Sequence, residues 1–185
     1  IMRSTKDLRA HDSLSRLNQF ATILLFVCIA AVSSTAFSAS ITGSMNLGNI
    51  QTPLGGTDLG DAAMLDFLST PFTDPGAGDA IDALGGGTGD LIVVTDTTVG
   101  VIADTLDFAG FSAPIPAFLT IAGFQLDLAT LAIDFQSTNF LFLSGTGTLS
   151  GNGYDPTPAT WGLTTQAETV AGMGATYSMT VTAAV

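Results

Sequence analysis

The chain has 185 residues, 46% of them hydrophobic and 11% charged, and a formal net charge of −12; that is too apolar for disorder and sized for one domain behind a leader. Its basic side chains are Arg3, Lys6, Arg9 and Arg16, and His11 and Cys28 are its single histidine and cysteine, so residues 39–185 carry thirteen Asp and Glu168 against no cation. That inventory excludes nucleic acid and anionic membrane surfaces as partners of the domain, zinc sites built on His or Cys, nucleophilic triads with a His or Lys base, and disulfides within the domain.

Residues 1–38 read as a signal peptide. Four basic residues precede an apolar run over 20–32, and small residues follow over 33–40. Cleavage after Ala36 places Ser34 three residues back from the cut, and cleavage after Ser38 places Ala36 there. The run is 13 residues long, short of the roughly 20 that span a bilayer. Cys28 lies inside it, which suits a small apolar filler.

Residues 39–185 read as a single acidic domain. Residues 41–50 form a first strand weakened by glycine. The segment 51–90 is rich in Gly, Asp, Pro and Thr and reads as loop-rich, with one helical turn over 79–84. Gly85-Gly-Gly-Thr-Gly89 lacks the lysine of a phosphate loop and reads as a flexible loop before a strand. Residues 91–95 are β-branched and continuous, which predicts a strand buried on both faces.

Residues 99–106 follow as a strand, and 117–121 as an edge strand behind Pro114 and Pro116. Phe124, Leu126 and Leu128 alternate with Gln125, Asp127 and Ala129, and Leu131, Ile133 and Phe135 alternate with Ala132 and Asp134 in the opposite phase, which requires a bulge or turn near Ala129-Thr130. Residues 140–149 and 160–166 are strands, the latter with Trp161, Leu163 and Thr165 on one face. Dense turn chemistry fills 151–158. The last strand sets Tyr177, Met179, Val181 and Ala183 on one face against Thr and Ser on the other. Eight or nine short strands without a long helix predict an all-β domain, an antiparallel β-sandwich or jelly roll, with a flattened barrel as the alternative.

Residues 142–166 (Phe-Leu-Ser-Gly-Thr-Gly-Thr-Leu-Ser-Gly-Asn-Gly-Tyr-Asp-Pro-Thr-Pro-Ala-Thr-Trp-Gly-Leu-Thr-Thr-Gln) and the closing Tyr-Ser-Met-Thr-Val-Thr-Ala-Ala-Val of 177–185 resemble the C-terminal half of exported bacterial proteins of the PEP-CTERM class. The resemblance implies delivery to the cell surface or an exopolysaccharide matrix, and no particular activity. Members of the class carry a sorting tail of a Pro-Glu-Pro motif, a membrane helix and a basic cluster; this chain stops at Val185, about where such a tail begins.

Two chemistries survive the inventory. Paired carboxylates could serve hydrolysis, but Asp96-Thr97-Thr98 lacks the glycine of an aspartic-protease loop, and no catalytic residues are assigned. Asp with backbone carbonyls suits Ca²⁺, the one cofactor considered, with Asp74, Asp79, Asp82 and Asp90 as weak ligand candidates at a spacing that matches no EF-hand. Trp161 and Tyr177 are expected in the core and Tyr154 at a turn; exposed, they would offer a sugar-stacking face. The expected function is an exported structural protein of the cell surface or extracellular matrix, without catalysis, and the alternatives are a carbohydrate-binding module or a calcium-stabilised adhesin. Its partners would be extracellular polysaccharide or other surface proteins, with membrane contact through the leader or a C-terminal tail. An exposed aromatic row would favour sugar binding, and a flat acidic surface a structural role.

Overall fold

A computed structural model describes residues 38–68, 79–167 and 175–183. The leader, Asp74 and Glu168 lie outside them. Among the described residues eleven strands follow in order: β1 (Gly43–Leu54), β2 (Met64–Leu68), β3 (Asp79–Ala83), β4 (Val99–Ile102), β5 (Thr105–Asp107), β6 (Ile115–Ile121), β7 (Phe124–Leu128), β8 (Ala132–Gln136), β9 (Phe140–Gly151), β10 (Tyr154–Gln166) and β11 (Ala175–Ala183). Among the described residues the helical element is one 3₁₀ turn, Gly89–Val93.

The all-β expectation holds, but the architecture is a closed barrel and not a sandwich. Strands β11, β10, β9, β7, β6, β4, β3 and β1 pair in that order, and β1 pairs back onto β11 over nine residue pairs from Gly43↔Ala183 to Gln51↔Ala175. All these ladders are antiparallel. Closure answers a problem the composition creates. Exposed sheet edges are commonly protected by lysine, and this domain has none; a barrel removes the edges instead. The strands left outside the ring are short: β2 pairs with the far half of β1, β5 with β2, and β8 with the near half of β9.

Alternation fills the interior. Met45 and Leu47, Leu126 and Leu128, Leu141 and Leu143, Trp161 and Leu163, and Met179 and Val181 all point inward and are buried. Eight strands enclose a space about wide enough for side chains, so the barrel is a packed core and not a pore. Each large aliphatic or aromatic side chain buried there stabilises by roughly 1.5–3 kcal/mol. Phe67 joins the layers, with its ring 5.9 Å from Phe118 and 5.0 Å from Tyr177 between centroids.

Several local expectations are overturned. The loop-rich segment 51–90 contains β2, β3 and the end of β1, and the helical turn expected over 79–84 is β3. Ile81 and Ala83 belong to the core cluster, and β3 pairs with β1 and β4; ladder pairing overrides weak local preference there. Residues 91–95 are no strand. The 3₁₀ turn buries Leu91 and Val94, three residues apart, and leaves Ile92 and Val93 exposed. The glycine run before it is docked and not loose, because Thr88 and Asp90 donate backbone bonds to the Ser44 and Thr42 carbonyls. Strand β6 is no edge strand, since β4 and β7 flank it. The turn expected over 151–158 shrinks to the residues joining β9 and β10, with Pro156 and Pro158 inside β10 and exposed. The break near Ala129-Thr130 is as expected, with both N–H groups donating to the single Thr146 carbonyl at 2.9 and 3.1 Å.

Candidate functional site

The aromatic residues singled out from sequence are placed as core and turn. Trp161 is 3% exposed and its Nε1–H donates to the Thr146 carbonyl at 3.2 Å. Tyr177 is 4% exposed, and burial, with the charges of Asp79 and Asp82 nearby, pushes its phenol upward. Tyr154 is half-buried beside the turn into β10 and donates its hydroxyl to Asp90 at 3.1 Å.

The calcium candidates do not converge. Asp74 lies outside the described residues. Asp79 is buried at the start of β3, and Asp82 lies three positions further on, on the opposite face. Asp90 accepts the Thr42 N–H and hydroxyl, both at 2.8 Å, which holds its carboxyl below the usual range. Asp82 pairs with Gly48 on β1 and Asp90 is bonded to Thr42, six residues earlier in the chain, so at the rise of a strand these two stand roughly 20 Å apart, with Asp79 farther along β3. Among the described residues no three His, Cys, Asp or Glu side chains come together.

What the barrel does assemble is an uncharged outer face across β1, β11, β10 and β9. Register sets its residues in rows across the strands. One row reads Ser44, Thr182, Thr160 and Thr146, extended by the Thr130 hydroxyl 2.8 Å from that of Thr146. The next reads Asn46, Thr180, Gly162 and Ser144, with the Thr180 hydroxyl donating to Asn46 Oδ1 at 2.9 Å. The third reads Gly48, Ser178, Thr164, Phe142 and Phe135, and the fourth Ile50, Thr176, Gln166 and Phe140. Among the described residues no acid stands in these four rows, although the domain is strongly acidic; Asp155 is exposed at the start of β10, the ring strands on either side carry Asp82 and Asp127, and the outlying β8 carries Asp134.

The third and fourth rows hold the aromatic rim. Phe135, Phe140 and Phe142 are 49%, 39% and 38% exposed. The Phe142 ring lies 5.6 Å from that of Phe135 and 6.4 Å from that of Phe140, so the three form a row. Beside them runs a shallow groove of about 470 Å³, walled by Phe140 and Phe142, lined by Thr164, Gln166, Thr176 and Ser178, with Leu84 at its far side. Leu84 lies over Gly48, where an added Cβ would collide with it and with the Tyr177 carbonyl, so glycine there keeps the floor low.

Sequence reasoning took Trp and Tyr as the sugar-facing candidates and missed these phenylalanines. A signal was present. Phe140 to Leu143 is apolar at both parities, and a strand with one face on a core must then expose one of its apolar pairs.

The groove is chemically amphipathic, with flat apolar rings on one wall and hydroxyl and amide groups along the floor. Among the described residues no helix is long and apolar enough to cross a membrane. On β11 the outward side chains are Thr and Ser and the inward ones apolar, whereas β4 turns Val99 and Val101 outward. No protein-family model matches the chain, and no curated protein or solved structure matches it either.

Proposed function

We propose that the protein is an exported, non-catalytic component of the cell surface or extracellular matrix that holds neutral polysaccharide on the groove beside Phe140 and Phe142. The exposed aromatic row next to a hydroxyl floor carries this reading. Sugars have apolar ring faces that stack on aromatic rings and hydroxyl edges that bond to Thr, Ser and Gln, and this groove offers both along one line. The leader-like residues 1–38 and the PEP-CTERM-like stretches support export, and the side-chain inventory of residues 39–185 supports the absence of catalysis. A domain this acidic repels acidic polymers, which favours an uncharged one.

Calorimetric titration of the purified protein against a panel of neutral and acidic glycans tests the proposal. Neutral chains are expected to bind and acidic ones to fail. The double variant Phe140→Ser/Phe142→Ser is expected to weaken binding by at least about tenfold with its melting temperature nearly unchanged. A silent panel, or binding that survives the double variant, contradicts the proposal.

A further inference from the structure

The groove does not end at Leu84. A second hollow of about 350 Å³ lies on the other side of it, lined by Gly48, Ile50 and Asp82 among others, and the two share Leu84, Thr176 and Tyr177 in their walls. Together they form one trough that runs across the strands from β9 over β10, β11 and β1 to β3. At a strand spacing of about 4.8 Å its length is roughly 19 Å.

We infer that this trough takes an internal stretch of an extended neutral polysaccharide, several linked sugar rings long, laid at right angles to the strands; the inference rests on the carbohydrate reading above. Two apolar contacts define it. Phe140 and Phe142 stand on β9, and Leu84 stands above Gly48 on β1, about three strand spacings or roughly 14 Å away. One sugar ring cannot touch both. Between them the rows supply hydroxyl and amide groups at each strand, so every successive ring along that line meets a hydrogen-bonding group. The trough lies on the outer wall, and the inferred chain continues past both of its ends. A pocket for a chain terminus would instead need a closed wall at one end.

Length, and not sugar identity, is what distinguishes this inference. From the panel above, the tightest neutral glycan is taken as a series from the monosaccharide to about the hexamer, each titrated calorimetrically. Affinity is expected to climb with each added unit up to about four and then to level off. Methyl capping of the reducing end is expected to leave affinity unchanged. Leu84→Ser is expected to weaken the longest members about fivefold to tenfold and the disaccharide by clearly less. Leu84 is 51% exposed, so the variant is expected to fold, and its melting temperature checks that.

A disaccharide that binds as tightly as the hexamer overturns the inference. So does loss of binding on capping, or a Leu84→Ser variant that affects all lengths equally or none. If no neutral glycan binds at all, it is the carbohydrate reading itself that fails, so the two failures are separable.

Discussion

Phe142 meets two other rings on one side and water on the other, and that position separates function from stability at the scale of single residues. Truncating an exposed ring removes stacking surface without opening a core cavity. Phe142→Ala is therefore expected to lower glycan affinity about tenfold while changing unfolding free energy by less than about 1 kcal/mol in urea titrations. Gly145 is the opposite case. A Cβ there would run into the Thr130 carbonyl and the Trp161 ring, neither of which can yield, so Gly145→Ala is expected to cost about 2–3 kcal/mol in the same titration. Asp90 gives a pH signature. The Thr42 hydroxyl first, and its N–H and the Tyr154 hydroxyl with it, hold the folded carboxyl below its unfolded value. Its stabilisation is thus complete above about pH 4 and fades as pH falls through the folded value. Asp90→Asn is expected to melt lower than the parent at neutral pH, with the gap closing as pH falls through the folded value. Tyr177 has the reverse sign. Its folded phenol is raised, so stability is intact below about pH 10 and is lost as pH rises beyond it. Tyr177→Phe is expected to flatten that alkaline loss of melting temperature. That Tyr177 points inward is legible in its alternation with Thr176 and Ser178. That Phe142 points outward is not, because its neighbours Leu141 and Leu143 are just as apolar.

Among the elements, β11 carries the closure. Thr180 sits in its middle and is paired with Asn46 on one side and Gly162 on the other. A proline there deletes a ladder hydrogen bond in a strand flanked on both sides, and Thr180→Pro is expected to cost about 3 kcal/mol or more, read from chemical denaturation. Strands with strict alternation (β7, β9 beyond its start, β10 from Thr160 onward, and β11) were legible because their polar and apolar faces differ; the first half of β10, with Pro156 and Pro158, reads as a turn. The 3₁₀ turn was not. Leu91 to Val94 has the composition of a buried strand, and only the docking of Thr88 and Asp90 onto β1 decides that Leu91 and Val94 turn in while Ile92 and Val93 turn out. Strand β3 was hidden for a similar reason. Asp, Ala and Gly around it favour turns, and its partners β1 and β4 supply the order that the local sequence lacks.

At the scale of the whole molecule, in-and-out alternation is the same for a sandwich as for a barrel. What decides between them is whether the first strand meets the last. Here β1 pairs with β11 over nine residue pairs separated by more than a hundred residues of chain, and nothing in the local pattern of either strand announces its partner. The candidate site inherits that illegibility, since its rows exist only once closure sets Ser44 beside Thr182 and Gly48 beside Ser178. Charge is the other whole-molecule property. The fourteen acidic side chains of residues 39–185 have no basic one among them and repel one another, so added salt is expected to raise the melting temperature. The uncharged face predicts that glycan affinity stays flat from about 0.05 to about 0.5 M salt. The most direct measurement is a pair of amide NMR spectra, with and without a saturating neutral oligosaccharide. Shifts confined to the outer-face residues of β9, β10, β11 and β1 and to Leu84, strongest near Phe142, Thr164 and Ser178, are the predicted result; shifts centred elsewhere on the barrel, or none, would contradict it.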